Sequence, residues 1–412
     1  MKALFRIRDY RLLWTGQAVS NFGDALTNLA LLLTAQRLTG STAAVATTAI
    51  AVALPTLLFG MVAGAYVDRW NRKRVMVVSD LFRTSFVLLF LLVTTPDMMW
   101  LLYTVAFIQA ALGTFFNPAK GALVPRIVPQ DQLLSANSVS QMTQIVFGLI
   151  GTAIAGLIAA TMETLALAYI LDASTFIISL AAISLIRTDG APQRTDIAET
   201  HLLRDIREGI QTALSSRVLV GVLVGAAILM LGIGAVNVLL VPFIVEDLAV
   251  SEAWFAAFEA AQVVPMVIAA TLVATLASKV SPTRLITITL GGLGVMLAFM
   301  AAVTAPWHMI LILFTVGWMI TPLQASVSTL VQTEVDDEVR GRTGAALNTV
   351  LTGSQVASMA LAGVAATALG TRWVFVLAGV IAVIASAATM VLFKGVNLRS
   401  AAPRPEPATE AA

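Results

Sequence analysis

Residues 43–67 read AAVATTAIAVALPTLLFGMVAGAYV, and residues 68–74 follow as DRWNRKR. The first stretch carries no charge and exceeds the roughly 20 helical residues that a hydrocarbon layer demands. The basic stretch after it stops the crossing and marks the side on which positive charge is retained. The pattern recurs along the chain. Apolar runs fall at 12–33, 43–67, 75–94, 99–116, 139–160 and 165–186, and after a polar connector at 218–245, 253–276, 285–303, 309–327, 345–369 and 373–393. With 58% hydrophobic and 12% charged residues, against the roughly 25% charged usual in soluble domains, these runs describe an all-α polytopic membrane protein of twelve transmembrane helices.

Composition removes several function classes. The chain has no cysteine and two histidines, His201 and His308, far apart in sequence, so thiolate metal sites, iron–sulfur clusters and His-based zinc centres are not expected. Neither metal nor cofactor is expected. The hydrolase elbow Gly-x-Ser-x-Gly, the zinc motif His-Glu-x-x-His and the nucleotide loop Gly-x-x-x-x-Gly-Lys-Ser/Thr are all absent from the sequence. A net charge of +2 and a pI near 9.1 come from residues at the ends of apolar runs, so nucleic acid is not an expected partner. The bilayer is the expected surrounding, and no obligate protein partner is evident.

Of the 25 Lys and Arg, only Arg37 and Arg372 fall on the side opposite the N-terminus. Positive charge resists translocation, so both termini and the connector are expected on the cytoplasmic side of a plasma membrane. Lys2, Arg6, Arg8 and Arg11 precede the first run, which is long and lacks a small-x-small cleavage site, and it reads as a retained helix. The expected organisation is a six-helix unit over 1–186, a connector over 187–217, a second unit over 218–394 and a tail without fixed structure over 395–412. Within the connector, Leu202, Leu203, Ile206, Ile210 and Leu214 alternate with Arg204, Asp205, Arg207 and Glu208, the pattern of an amphipathic interfacial helix.

The halves match at an offset near 210 residues. Asn28 answers to Asn237, Ser41 to Ser251, Pro55 to Pro265, Arg74 to Arg284, Asn137 to Asn348 and Gln144 to Gln355. Six pairs in the same order indicate a parallel duplication into two pseudo-symmetric six-helix bundles, and such repeats meet around a midplane solute site.

Polar residues inside spans are costly and mark function first. In the first run Gln17, Asn21, Asp24 and Asn28 are spaced 4, 3 and 4, which places them on one helical face that lipid cannot satisfy. Asp24 is the acid of that face, and a carboxylate there can load and release protons; passive membership of a hydrogen-bond cluster is the alternative. Asn137, Gln141 and Gln144 in the fifth run, and Asn348, Thr352 and Gln355 in the eleventh, form two further stripes expected to line a cavity, with Asn237 as the mate of Asn28. Glu259 and Gln262 lie one turn apart in the eighth run, making Glu259 a second proton-coupling candidate, or else a hydrated acid near the boundary. Asp80 and Arg83 are expected to pair along their own helix as packing residues, and Asp172 to form structural hydrogen bonds.

The stretch Gly64-Ala65-Tyr66-Val67-Asp68-Arg69-Trp70-Asn71-Arg72-Lys73-Arg74 resembles motif A of the major facilitator superfamily, Gly-x-x-x-Asp-Arg-x-Gly-Arg-Arg/Lys. Gly64, Asp68, Arg69, Arg72 and Lys73 match; Asn71 stands where Gly is usual, and Asn tolerates positive φ, so the turn can survive. The resemblance implies the major facilitator fold and a gate in which Asp68 faces the N-terminus of the eleventh helix, where a carboxylate is favoured. Nearly the whole chain is similar to the subgroup containing macrolide efflux proteins and the enterobactin exporter. The similarity runs from Leu13-Trp14-x-Gly16-Gln17 through Phe116-Asn117-Pro118-Ala119, Val128-Pro129, Ala136-Asn137-Ser138 and Leu171-Asp172-Ala173-x-Thr175-Phe176 to Val339-Arg340-Gly341-Arg342. It implies proton-coupled export of a small organic or amphiphilic molecule by alternating access. Three departures bear on antiport: the fourth span has no motif B arginine, motif C is reduced to Gly148, Gly151 and Gly156, and the second copy of motif A to Ser278-Lys279. A solute importer or lipid transporter on the same fold, and a membrane-embedded enzyme, are the alternative classes.

Overall fold

The computed structural model describes residues 4–67, 69–191, 211–212, 214, 216–277, 280–335 and 337–394. The connector helix expected around 202–214 and the tail expected over 395–412 therefore lie largely or wholly outside the described residues, as does Asp68.

Twelve long helices are described: α1 Arg8–Thr39, α2 Thr42–Val67, α3 Arg72–Leu89, α4 Met99–Ile127, α5 Leu133–Thr161, α6 Ala166–Ser184, α7 Arg217–Pro242, α8 Trp254–Ala277, α9 Pro282–Phe299, α10 Pro306–Glu334, α11 Asp337–Leu369 and α12 Thr371–Leu392. Eleven are long and apolar enough to cross a membrane, and α1 is the exception because its polar face dilutes its hydropathy. Helix ends follow local chemistry. Gly40, at φ +56°, closes α1 by donating its N–H to Gln36 O, a left-handed conformation that costs glycine least. Pro282 and Pro306 open α9 and α10, where a missing N–H is harmless. Pro55 and Pro265, mates in the repeat, both lie inside their helices, α2 and α8.

Asn71 does not use a left-handed turn as expected from its place in motif A. Its φ is −70° and its ψ 109°, and its side chain accepts the Arg74 N–H at 3.1 Å as the N-cap of α3. A second departure concerns α4. It continues past Phe116 to Ile127, so Lys120 and Arg126, expected in a loop, are helical.

The packing repeats as the sequence does. In the first half α1 packs on α5 and α6, α4 on α2 and α3, and α3 on α6; in the second α7 packs on α11 and α12, α10 on α8 and α9, and α9 on α12. Across the halves α2 meets α11 and α5 meets α8, two contacts that the duplication interchanges.

Where the halves meet is uneven. The face bearing the N-terminus, here the basic face, has separate apolar clusters: Tyr10, Leu13, Phe116 and Leu123 in one half, Val218, Ile286, Leu330 and Phe393 in the other. Toward the opposite, far face one cluster runs through both halves, joining Leu33, Val45 and Ile158 to Val238, Phe255 and Ala362. Both arginines that the sequence leaves on the far face are engaged there. Arg37 bonds the carbonyls of Met162 and Glu163 at 3.2 and 3.3 Å and pairs with Glu252 of the other half at 2.9 Å. Arg372 bonds the carbonyls of Ala301 and Val303 at 2.7 and 2.8 Å. Beside Arg37, Gln36 donates to Glu246, its own mate in the repeat. Among the described residues, the apolar cluster shared by the two halves lies at the far face, and each half keeps its own cluster at the basic face.

On the basic face Asp9 accepts from Arg187 N, Thr188 N and Thr188 Oγ at 3.0, 2.8 and 2.7 Å, tying α1 to the start of the connector. Burial opposes its charge, but these bonds outweigh burial and hold its carboxyl below the usual range. This tie contributes at neutral pH and is lost as pH falls through the acid range.

The α9–α12 contact supplies a test. A Cβ on Gly379 would sit 2.6 Å from both Ala298 N and Gly294 O, backbone atoms that cannot turn aside, whereas a Cβ on Gly148 meets nothing within 4 Å. Gly379→Leu is expected to cost at least the roughly 1–3 kcal/mol of overpacking, while Gly148→Ala leaves the melting temperature level or higher. Thermal unfolding of the purified variants, with equal melting in both as the contrary result, checks this packing.

Candidate functional site

The first half holds a cavity of about 270 Å³ lined by Tyr10, Leu13, Trp14, Gln17 and Asn21 of α1, Lys120 and Val124 of α4, and Asn137, Ser140, Gln141, Thr143 and Gln144 of α5. Helical spacing explains the set: the α1 residues recur at three and four along one face, as do Asn137, Gln141 and Gln144. Close approach of α1 and α5 is possible because residue 151 is glycine; a Cβ there would strike the Phe22 carbonyl. Trp14 Nε1 donates to Thr143 Oγ at 2.8 Å, fixing the indole at the wall.

The remaining predicted residues are distributed around this cavity. Asn28 is accessible further along α1, and its mate Asn237 is accessible on α7. Asn348, accessible, and Thr352 and Gln355, half-buried, lie on α11 and are not among the residues lining the described cavity. Glu259 and Gln262 are half-buried on α8 toward the far face, separate from the cavity. The cavity thus unites the α1 and α5 stripes. Lys120 escaped the sequence reading because its run was ended at Phe116, although the following Asn117-Pro118 need not break a helix whose neighbours pack around it.

Above the cavity lies a charge cluster. Arg83 of α3 pairs with Asp24 of α1, and its guanidinium lies 4.1 Å from the centre of the Phe176 ring on α6. This corrects the expected Asp80–Arg83 pair. Residues three apart on a helix can meet, but α1 brings a closer carboxylate and the Phe176 face holds the guanidinium toward it. Asp80, mid-helix in α3, is fully buried, and neither carboxylate oxygen has a hydrogen bond; Ser179 of α6 faces it without reaching bonding geometry. Asp172 of α6 accepts from Thr27 Oγ at 2.5 Å and Thr175 Oγ at 3.1 Å, binding α6 to α1. Gly23 of α1 leaves room for that carboxylate, since a Cβ would overlap Asp172 and Thr175. Three carboxylates on three helices therefore surround one arginine.

The motif A residues turn inward to their own half. Arg72 is buried and its backbone N–H donates to Gly190 O at 2.9 Å, while Lys73 Nζ donates to Ile186 O at 2.6 Å. Arg69 is exposed, and a Cβ on Gly64 meets nothing within 4 Å. The expected contact of Asp68 with the start of α11 falls outside the described residues.

Twelve helices in a duplicated arrangement, with a polar cavity in the first half, are those of a secondary transporter of the major facilitator superfamily. The chain belongs to the transmembrane secretion effector family, whose profile matches residues 2–410. It is 28% identical over 200 residues to macrolide efflux protein A of Streptococcus pyogenes, a match covering 48% of this chain and 49% of that protein. It is 31% identical over 178 residues to the multidrug efflux pump Tap of Mycolicibacterium fortuitum, covering 40% of this chain and 42% of that protein. The chain spans about half the length of the curated relatives it matches. Among solved structures it superposes on the nucleoside transporter NupG with TM-score 0.75 at 11% identity, over 94% of this chain and 99% of that one. It also superposes on a bacterial homologue of the iron transporter ferroportin in an inward-facing state, with TM-score 0.73 at 15% identity, over 94% and 99%. At these identities the superpositions speak for the fold alone.

A double-mutant cycle tests the cluster. Arg83→Met and Asp24→Asn together should destabilise less than the sum of the single changes, with a coupling of about 0.5–3 kcal/mol. Additive melting shifts would mean that the two groups do not act as a pair.

Proposed function

We propose that this chain exports a small organic or amphiphilic molecule from the cell by alternating access, as a proton antiporter. The observation that carries the reading is the polar cavity of the first half beside a carboxylate–arginine pair that joins two helices, with the apolar contacts between the halves gathered at the far face. The positive-inside rule makes the basic face cytoplasmic, with both termini inside and the protein in the plasma membrane, so that the described state is open to the cytoplasm. The six-helix units over 1–186 and 218–394 are the moving bodies, and their far-face contacts, Gln36–Glu246 and Arg37–Glu252, part when the cavity opens outward. Efflux is the activity named for the macrolide and multidrug relatives, and it supports the same direction here.

Asp24 is the proposed coupling residue. In the state open to the basic face its charged form is held by Arg83. A proton on Asp24 would remove that attraction, and the state in which α1 and α3 are differently placed, open to the far face, is the one that exchanges this proton with the outside. Asp80, buried without a hydrogen bond beside the same arginine, is an additional carboxylate to which Arg83 can turn when Asp24 is neutral. Glu259, on the second half, stands as the alternative proton site.

Two measurements test this reading. Asp24→Asn is expected to retain exchange down a gradient while losing accumulation driven by an imposed pH difference in proteoliposomes; unimpaired pH-driven transport in that variant would move the assignment to Glu259. In the cysteine-free chain, Thr200→Cys should react with an impermeant thiol reagent only after the cells are opened, and labelling in intact cells contradicts the orientation.

A further inference from the structure

The cavity residues also bear on which molecules enter, a question that rests on the transporter reading. Of the twelve side chains lining the cavity, Lys120 is the one that carries a charge. It projects from α4 opposite the amides of α1 and α5, half-buried, and among the described residues it has no hydrogen-bond or ion-pair partner. The acid within its electrostatic reach is Asp24, whose carboxylate is already occupied by Arg83. A second lining group points the same way: Gln17 Nε2 is buried and its N–H donors have no partner. Two unfilled donors, one of them cationic, thus share one small space in which no carboxylate lines the wall. Burying an unpartnered amide is costly, and an acceptor-only group brought by a ligand would recover that cost. Trp14, Tyr10, Leu13 and Val124 supply apolar surface beside those donors, suited to a ring or hydrocarbon body.

We propose that this cavity takes organic anions: molecules whose carboxylate, phosphate or sulfate oxygens sit between Lys120 and the Gln17 amide while their apolar part lies along Trp14 and Leu13. Lys120 is the specificity-determining residue. A cation placed in the same position would meet the Lys120 ammonium group, and the acid within reach, Asp24, is already paired with Arg83. The α1 and α5 amides Asn21, Asn137, Gln141 and Gln144 then order the polar substituents, since each can donate or accept.

The test uses two dyes on the same xanthene ring, anionic carboxyfluorescein and cationic tetramethylrhodamine methyl ester. Binding to the full-length purified protein is read by fluorescence polarisation. Wild type should bind carboxyfluorescein at least tenfold tighter than the rhodamine ester; Lys120→Gln should lose that tenfold, Lys120→Arg keep it, and Lys120→Glu reverse the order of the two dyes. Lys120→Arg also guards against a folding defect, because it keeps the charge at nearly the same length. Tighter binding of the rhodamine ester by wild type, no binding of carboxyfluorescein, or an unchanged affinity in Lys120→Gln each overturns the proposal. Movement of carboxyfluorescein across proteoliposome membranes separates the two readings. Lys120-dependent binding without movement leaves the anion site standing and removes the transport reading, whereas movement of the rhodamine ester with no preference for the anion removes the anion site and leaves transport.

Discussion

Arg83 is the one cation around which three helices arrange their carboxylates. α1 brings Asp24, α3 carries Asp80 and α6 brings Asp172. In hydrocarbon each of these groups is expensive unless partnered, and the arginine is the cation that offsets their charge. Threonines hold Asp172, Asp24 takes the guanidinium and Phe176 carries its flat face. Asp80 lies beside the same arginine but receives no hydrogen bond. Under the proposed antiport this shared cation is the switch, since moving it from one carboxylate to another requires the helices to move with it.

The duplication also governs how the two halves meet. The contact pattern of α1 to α6 recurs in α7 to α12, and the far-face seal lies close to the axis relating them, where Gln36 bonds its own mate Glu246. A seal near such an axis can part by a small rotation of either half. The basic face has separate apolar clusters and no shared one among the described residues, so the resting cost of the opening falls on polar side chains that water can satisfy. The cavity lies between these two conditions, beneath the Arg83 cluster and above the basic loops.

Much of this was legible in the sequence because it is periodic. Apolar runs of span length gave twelve helices, recurrence at three and four aligned Gln17 with Asn21 and Asn137 with Gln141 and Gln144, and the cavity is lined by all five. The partner of Arg83 was not legible. Spacing along one helix favours Asp80, and nothing local says that α1 will pass closer. Lys120 was misplaced for a related reason, since a proline and a charge end an apolar run on paper while α4 continues through both. Asn71 was read as a glycine substitute needing a left-handed turn, whereas its side chain caps α3 from an extended backbone. In each case the missing information was tertiary.

The central claim is that the Asp24–Arg83 pair holds the molecule open to the basic face and that a proton on Asp24 releases it. The direct measurement is the distance across the far face, read by electron–electron spin resonance between labels on Thr39→Cys and Ala253→Cys in an otherwise cysteine-free chain. The account predicts a short distance at neutral pH, a growing population of long distances on acidification, and a long distance at both pH values when Asp24→Asn is added. A distance that ignores pH, or that stays short in the Asp24→Asn background, contradicts it.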